Sequence, residues 1–480
     1  MTKQKHTKAV DAASKTEELL PLEQMMSQGG ASNEGAAHAV DGTNQVKDSE
    51  HQGAEDEGAF LVPKLRFADF AVNSQQSYEP LARVLRQSFS GGTPASNIDA
   101  YWNGDIHWAS TKDLTSNVLT ATADFITELG LRNSSSKLAK AGSILVGMHI
   151  GVGKVAIANI DVAINQDLRA LVPDLSRVDL WFLLYVLEAN AIRLESYGRG
   201  STVKGITQED LLQLPVPLLP LPEQQRIGAL FKELDHNIEL NCGLLEKLTQ
   251  LKKSMLEQMF PREGESVPRL RFAGFTEPWK TDSFEQVFSF LPKVNIAREQ
   301  LSVSSGCVKN IHYGDILTVF GDVLDVNLEA VPRIVGSSLL PKHDPFLLQN
   351  GDVVIADTAE DSSAGKVIEL TGVSDGVQVI GGQHTMPCRP CVKFSPYFLG
   401  YLLNSSCFRD ALVNQLQGIK VLSISKANLS VLSVKFPDSL AEQQRIGALF
   451  KALDQRIAQQ RAKVEKLGQL KKALLEQMFV

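Results

Sequence analysis

Ten consecutive residues occur twice in this chain. Glu223-Gln-Gln-Arg-Ile-Gly-Ala-Leu-Phe-Lys232 returns unchanged as Glu442-Gln-Gln-Arg-Ile-Gly-Ala-Leu-Phe-Lys451, 219 positions later. The match runs without a gap to Phe260 and Phe479, and about two thirds of its positions are identical. A shorter pair, Val62-Pro-Lys-Leu-Arg-Phe-Ala-Asp-Phe70 and Val267-Pro-Arg-Leu-Arg-Phe-Ala-Gly-Phe275, opens each half. Long-period self-similarity of this kind means that one structural unit is built twice. The chain therefore consists of two similar halves, roughly 62–260 and 267–479. Each runs from short motif through a variable globular region to a long repeated segment.

The repeated segments carry apolar residues at alternating spacings of four and three, the pattern of a coiled-coil seam. The first supplies Ile227, Phe231, Leu234, Ile238, Asn241, Leu245 and Leu248, continuing through Lys252, Met255 and Met259. The second supplies Ile446, Phe450, Leu453, Ile457, Gln460, Val464 and Leu467, continuing through Lys471, Leu474 and Met478. A helix of about 37 residues is roughly 55 Å long at 1.5 Å per residue. Ser439-Leu-Ala-Glu442 reads as a capping box, Pro222 suits a first helical turn, and Pro261 stops the first helix. Two helices with matching seams in one chain are expected to pack on each other. The globular region between them favours antiparallel packing and pseudo-two-fold symmetry. Asn241 and Gln460 occupy equivalent seam positions, where a polar pair fixes register at some cost in stability. Such a pair of helices would hold two globular units a set distance apart.

The expected fold class is α+β, with two globular α/β domains separated by two long helices in an antiparallel coiled coil. The divisions are a disordered acidic tail over 1–60, a first domain over 61–222, a central helix over 223–260, a second domain over 261–438 and a C-terminal helix over 439–480. The tail is poor in aromatics, Phe60 being the first, and cannot bury enough apolar surface to offset chain entropy. It also explains the charge. The chain carries a net −7, and residues 1–60 hold five lysines against eleven acids, so the body is close to neutral. Composition alone therefore does not point to nucleic acid. Phosphate contacts would have to come from local basic clusters or from a partner. No apolar run reaches the roughly 18 residues that cross a bilayer, and the longest, Trp181 to Val186, suits a short buried helix or strand. No apolar core of a signal peptide follows the first lysines, and five scattered cysteines do not form a disulfide framework. A cytoplasmic location without membrane contact is expected.

The two inserts, about 71–220 and 280–438, share a layout rather than a sequence. The first contains Gly91-Gly-Thr-Pro94, Tyr101-Trp102, Gly104-Asp105-Ile106, Trp108 to Leu114, Ala163-Ile-Asn-Gln166 and Gly200-Ser-Thr-Val-Lys-Gly-Ile206. The second contains His312-Tyr-Gly-Asp-Ile316, Gly351-Asp-Val-Val-Ile355, Gly381-Gly-Gln-His-Thr385 and Gly418-Ile-Lys420. With the Pro-Lys-Leu-Arg-Phe motif and the Glu-Gln-Gln-Arg-Ile helix start, these segments resemble the specificity subunits of type I restriction–modification systems over residues 61–480. The acidic tail departs from the family's usual start. The resemblance implies that each insert is a target-recognition domain reading one half of a split, asymmetric double-stranded DNA target. It implies that the helices set the gap between the halves. It further implies partnership with two methyltransferase (modification) subunits and ATP-dependent restriction subunits. S-adenosylmethionine, ATP and Mg would belong to those partners, and this chain would hold no cofactor. The alternative is a coiled-coil protein-interaction scaffold without DNA readout.

Catalytic motifs do not stand out. Adenine methylation needs an Asn/Asp-Pro-Pro-aromatic motif, and ATP-driven translocation needs a phosphate loop. Gly153-Lys154 and Gly365-Lys366 lack both the upstream glycine and the following hydroxyl residue, and read as turns. Cys388-Arg-Pro-Cys391, with His384 and Cys407 nearby, lacks the second ligand pair of a structural zinc site and reads as a packed strand. His107, His149 and His312 have no nucleophile pattern around them. A non-catalytic DNA-recognition subunit is expected, with no catalytic or metal-ligating residue. Sequence is read by side chains that reach base edges, whereas phosphate contacts position the protein. The loops after the motifs supply the candidates: Ser110, Thr111, Lys112, His149, Lys154, Arg199, Thr202 and Lys204 in the first domain, and Thr358, Glu360, Lys366, His384, Arg389 and Lys420 in the second.

Overall fold

The structure, a computed structural model, describes residues 64–70, 77–191, 205–335 and 344–479. The tail expected over 1–60 and the candidates Arg199, Thr202 and Lys204 lie outside them. Contacts divide the chain into Met1–Phe60 and Leu61–Val480, and all described elements belong to the second unit.

Each half builds the same sheet. In the first, β1 (Leu85–Ser90), β2 (Val118–Leu119), β3 (Ile144–Gly147), β4 (Val155–Ala158) and β5 (Leu168–Pro173) lie in the order β1-β5-β3-β4-β2. In the second, β6 (Phe288–Phe290), β7 (Val323–Asp325), β8 (Val353–Ala356), β9 (Val367–Thr371) and β10 (Thr385–Pro390) lie in the order β6-β10-β8-β9-β7. Pairing is antiparallel in both sheets except at β4–β2 and β9–β7, which are parallel. The central strands are apolar runs buried on both faces, Ile-Leu-Val in β3 and Val-Val-Ile-Ala in β8, so they do not alternate. A smaller four-stranded sheet accompanies each, containing a parallel pair: Trp102–Ala109 with Val162–Ile164, and Lys309–Ile311 with Val379–Gly381.

Several helices among the described residues pack with these sheets. The apolar run Trp181–Val186 lies in α1 (Leu180–Ala189), capped by Asp179, whose side chain accepts from the Phe182 N–H at 2.9 Å. α2 (Leu221–Met259) and α4 (Leu440–Phe479) are the long repeated segments of 39 and 40 residues, roughly 60 Å each. α3 (Phe398–Asn404) is one of the short helices of the second half. No helix among the described residues is long and apolar enough to cross a membrane.

The repeated motif is explained position by position. Glu223 is fully buried and accepts two bonds from Arg66 of the opening motif, at 2.9 and 2.7 Å; Glu442 does the same with Arg271 at 2.6 and 2.9 Å. Glu442, expected to reach back within a capping box, turns instead to this guanidinium, because a buried carboxylate gains more from a charged fork than from an exposed N–H. Gln224 accepts from the Asp179 N–H and donates to the Leu219 carbonyl, both at 2.8 Å. Gln443 accepts from the Ser395 N–H at 2.9 Å and donates to the Pro437 carbonyl at 2.8 Å. A Cβ on Gly228 would lie 2.8 Å from Asp179 Oδ1, and one on Gly447 2.9 Å from the Pro396 oxygen, so glycine alone permits these approaches. Phe231 and Phe450 are completely buried.

Burial also shows where the apolar stripe goes. Ile227 and Phe231 sit deeper than a seam between two helices: they close the first domain's core with Met478 and Phe479 from the far end of α4. Ile446 and Phe450 close the second core with Met259 and Phe260. Between these ends the two helices run antiparallel. The Gln460 amide donates to the Asn241 backbone and side-chain oxygens, both at 2.9 Å. Lys252 lies 2.6 Å from the Asp454 carboxylate and Lys471 2.7 Å from that of Asp235. Leu234 and Ile457 are nearly buried, whereas Ile238, Leu245, Leu248, Leu453, Val464 and Leu467 are half-buried, since only one neighbouring helix covers them.

Magnitudes separate the roles. Deleting a buried phenylalanine costs about 3–5 kcal/mol, against a net of about 0.5–1.5 kcal/mol for an ordinary hydrogen bond. Apolar burial holds each helix on its domain, and the directional Arg–Glu pair fixes its rotation. Glu442→Ala strands a buried guanidinium and is expected to lower the unfolding free energy by about 3–5 kcal/mol in urea titrations; adding Arg271→Leu should restore most of it. A loss near zero in the single variant would show that the pair is solvated.

Candidate nucleic-acid interface

The sheet topology delivers several loops to one edge of each domain. In the first, the Asn165 N–H donates to the Ala109 carbonyl at 3.0 Å, the Met148 N–H to the Asp167 carbonyl at 2.8 Å and the Ile206 N–H to the Met148 carbonyl at 2.8 Å. Residues 110–113, 148–154, 165–167 and 205–206 therefore meet where β3 ends and β5 begins. His149 is half-exposed, its Nδ1 3.6 Å from Asp167 Oδ1. Asp167 also accepts from the Asn165 amide at 3.1 Å, and Gln166 accepts from the Thr93 hydroxyl at 2.6 Å. A Cβ on Gly205 would lie 2.7 Å from the His149 ring, so glycine keeps that ring in place. Lys112 and Lys154 are exposed on the same edge. The Ser110 N–H and hydroxyl donate to Asp113, at 2.8 and 3.1 Å, which shapes the turn carrying Lys112.

The second domain repeats this arrangement with different side chains. The Asp357 N–H donates to the His384 carbonyl and the Ile424 N–H to the Asp357 carbonyl, both at 3.0 Å. Thr358–Ala359 pairs with Leu422–Ser423, which brings Thr358, Glu360, His384 and the loop containing Lys420 together. The Thr358 hydroxyl donates to the Leu422 carbonyl at 3.1 Å. His384 Nδ1 is 3.4 Å from Asp357 Oδ1, and Lys293 Nζ is 2.9 Å from Asp357 Oδ2. The Tyr313 ring stands edge-on to His384 with centroids 5.2 Å apart. Lys420 is exposed, and Ile419 beside it is 100% exposed. The two edges are counterparts with acid and imidazole exchanged. Before β5 stands Asp167 and before β10 stands His384; Asp167 pairs with His149, two residues past β3, and His384 with Asp357, the residue immediately past β8.

Three candidates are withdrawn from the interface. The Lys366 ammonium donates to the Phe320 carbonyl at 2.8 Å, and burial holds its pKa below the ordinary lysine value. The Arg389 guanidinium is spent on buried Asp352, at 2.9 and 2.7 Å, and on the Leu347 carbonyl at 3.0 Å. Thr111 is 5% exposed. All three side chains serve the domain interior. His312 caps the helix Tyr313–Thr318, accepting from the Gly314 N–H at 3.2 Å, and burial lowers its pKa. Cys388 faces the second core and Cys391 faces solvent, so the Cys-x-x-Cys pair does not converge; burial pushes the Cys388 thiol up. Among the described residues no group of three or more His, Cys, Asp or Glu is placed to hold a metal. Sequence reasoning missed Asp167, Asp357 and Lys293. Asp167 directly follows one quoted motif and Asp357 stands two residues past another, and that proximity was the available signal; Lys293 had none.

Residues 85–250 match the family model described as the type I restriction modification DNA specificity domain. Over 154 residues the chain is 29% identical to the type I restriction enzyme EcoR124I/EcoR124II specificity subunit of Escherichia coli, covering 31% of this chain and 38% of that one. Over 390 residues it is 22% identical to the type I restriction enzyme MjaVIII specificity subunit of Methanocaldococcus jannaschii, covering 80% of this chain and 88% of that one. A match to the MjaIX specificity subunit of the same organism, 29% identical, again covers 38% of the relative. The fold is similar to the crystal structure of a type I restriction–modification S subunit from M. genitalium, with a TM-score of 0.54 at 15% identity, over 88% of this chain and 99% of that one.

His384 holds a left-handed backbone, φ 52°, which costs a non-glycine residue about 1–3 kcal/mol. Its half-exposed pairing with Asp357 returns no more than about 1 kcal/mol. His384→Gly is therefore expected to raise the unfolding free energy by about 1 kcal/mol, and His384→Val to lower it; calorimetric melts of the two variants check the sign.

Proposed function

We propose that this chain, a relative of the type I specificity subunits through its residues 85–250, is the DNA-reading subunit of a type I restriction–modification complex. Each domain takes one half of a bipartite, asymmetric target, and partner subunits carry out adenine methylation or cleavage. One observation carries the reading: two domains whose five-stranded sheets share one strand order present different polar side chains at the ends of corresponding strands. A frame kept constant while its tips diverge suits two readers of different sequence. α2 and α4 serve as an antiparallel coiled-coil spacer, with Asn241 and Gln460 setting its register.

The near-neutral body argues for shared work. A lone chain with a near-neutral body gains little from counterion release. Two modification subunits, with ATP-dependent restriction subunits, would supply the remaining basic surface as well as S-adenosylmethionine, ATP and Mg, so tight specific binding is a property of the assembly. This chain itself contributes readout and spacing and no catalytic group.

Readout and spacing are separable. Removing a base-edge contact relaxes specificity at one position by about 1–3 kcal/mol, whereas removing a phosphate contact weakens all sequences alike. His149→Ala should relax one half-site and His384→Ala the other, each by about tenfold to a hundredfold in binding competition. Lys112→Ala should lower affinity uniformly and reduce the salt slope by about 1. Relaxation of both half-sites by a single histidine variant would contradict one reader per half. Inserting one or two helical turns into both α2 and α4 should lengthen the gap seen by genome-wide methylation mapping and leave both half-site sequences unchanged. Altered half-site bases with the same gap would remove the spacer role.

A further inference from the structure

The stripe of residues between the helices contains one lysine per copy where an apolar residue belongs, Lys252 on α2 and Lys471 on α4. Both side chains are largely buried, at 17% and 14% exposure. Burying an ammonium is costly unless its surroundings replace water. Here they do so in the same way twice. Lys252 lies 2.6 Å from Asp454 on α4, 2.7 Å from Asp322 at the start of β7, and over the Tyr401 ring of α3 at 5.3 Å. Lys471 lies 2.7 Å from Asp235 on α2, 2.6 Å from Glu188 in α1, and over the Tyr185 ring at 5.4 Å. Each tyrosine closes the circuit: Tyr401 donates to Asp454 at 2.8 Å and Tyr185 to Asp235 at 2.7 Å.

The placement is unusual in what it connects. Lys252 belongs to the helix whose other end completes the first domain, yet its two carboxylates belong to the opposite helix and to the second domain. Lys471 is the mirror case. Apolar side chains in a half-wet seam slide and rotate at little cost, but an ammonium aimed at two carboxylates and a ring has one orientation. Burial alone would lower the Lys252 pKa; Asp322 and Asp454 outweigh it, and the ammonium is held above its ordinary value.

We propose that Lys252 and Lys471 are positioning residues that pin each recognition domain at one angle to the helix pair, and so hold the separation of the two domains constant. The link to DNA spacing rests on the reading given above, whereas the pinning itself does not. Domain 1 keeps a spare bridge, because the Asn117 amide donates to Asp235 at 2.8 Å and to Glu188 at 3.3 Å. Loss of Lys252 should therefore loosen the molecule more than loss of Lys471.

The test is a distance measurement on the full chain. Spin labels go on cysteines introduced at exposed Leu175 and Val431, with Cys242, Cys307 and Cys391 replaced by serine, and pulsed dipolar spectroscopy reads the distribution. Lys252→Met with Lys471→Met should at least double its width, Lys252→Met alone should widen it more than Lys471→Met alone, and Lys→Arg at both sites should preserve it. Melting curves of the same Lys→Met variants are recorded alongside, and a retained cooperative transition in each shows that widening is not unfolding; Lys252→Met with Asp322→Asn and Asp454→Asn, which removes the cation with both carboxylates, should widen the distribution as Lys252→Met does. An unchanged width in the double lysine variant overturns the proposal. Methylation mapping in cells then tests the consequence: preference for the native gap over one base pair more or less should fall about tenfold, with half-site bases unchanged. A widened distribution with an unaltered gap preference overturns the role in spacing, and absence of any methylation signature from the unmodified protein faults the functional reading while the distances still decide the pinning.

Discussion

Neither globular core is complete without the far end of the other half's helix. Phe479 stacks among Phe182 and Phe231 in the first domain, with ring centroids 5.5 and 5.6 Å away, and Phe260 packs on Phe398 and Phe450 in the second, at 6.2 and 5.9 Å. This exchange forces the helices to run antiparallel, because each must reach from one domain to the other. It also sets their length, since a helix that stopped a turn early would leave an aromatic socket empty. The polar contacts along the way, Asn241 with Gln460 and the two lysine clusters, then refine a geometry that the ends have already imposed.

The frame and the reading edges obey different physics. The frame uses close packing, glycine-permitted approach and buried Arg–Glu forks, all of which tolerate little change. The edges are made of turns at strand ends, where a side chain can be replaced without disturbing the layers beneath. Asp167 and His384 illustrate this: they hold equivalent stations before β5 and β10 and differ completely in chemistry. A molecule organised in this way can change what it reads without changing how it stands.

Much of the frame was legible in the residues because it repeats. The offset of 219 positions exposed two halves, and the four-three spacing exposed two long helices. What spacing could not reveal was which partner each apolar position faces: Ile227 and Phe231 follow the seam pattern yet sit in a domain core, since α1, with Tyr185 against Phe231, covers them in addition to the end of α4. The edges were only partly legible. His149, His384, Lys112 and Lys420 sit on them, but Lys366 and Arg389 carry the same charge and turn inward to a carbonyl and to Asp352. A charged residue near a turn looks the same in sequence whether a buried acceptor awaits it or not. The shared sheet order was invisible for the opposite reason, since apolar strands of unrelated sequence build it equally well.

The aromatic exchange has a further consequence for biogenesis. The first domain is synthesised early, but its last aromatic, Phe479, emerges more than two hundred residues after α2. A ribosome adds roughly 5–20 residues each second, so this domain spends a long interval with an open socket on its surface. The second domain, whose borrowed Phe260 precedes it, closes as soon as α4 begins to form. The half made first is thus the half finished last, and protection of that exposed aromatic site during translation falls to whatever holds nascent chains.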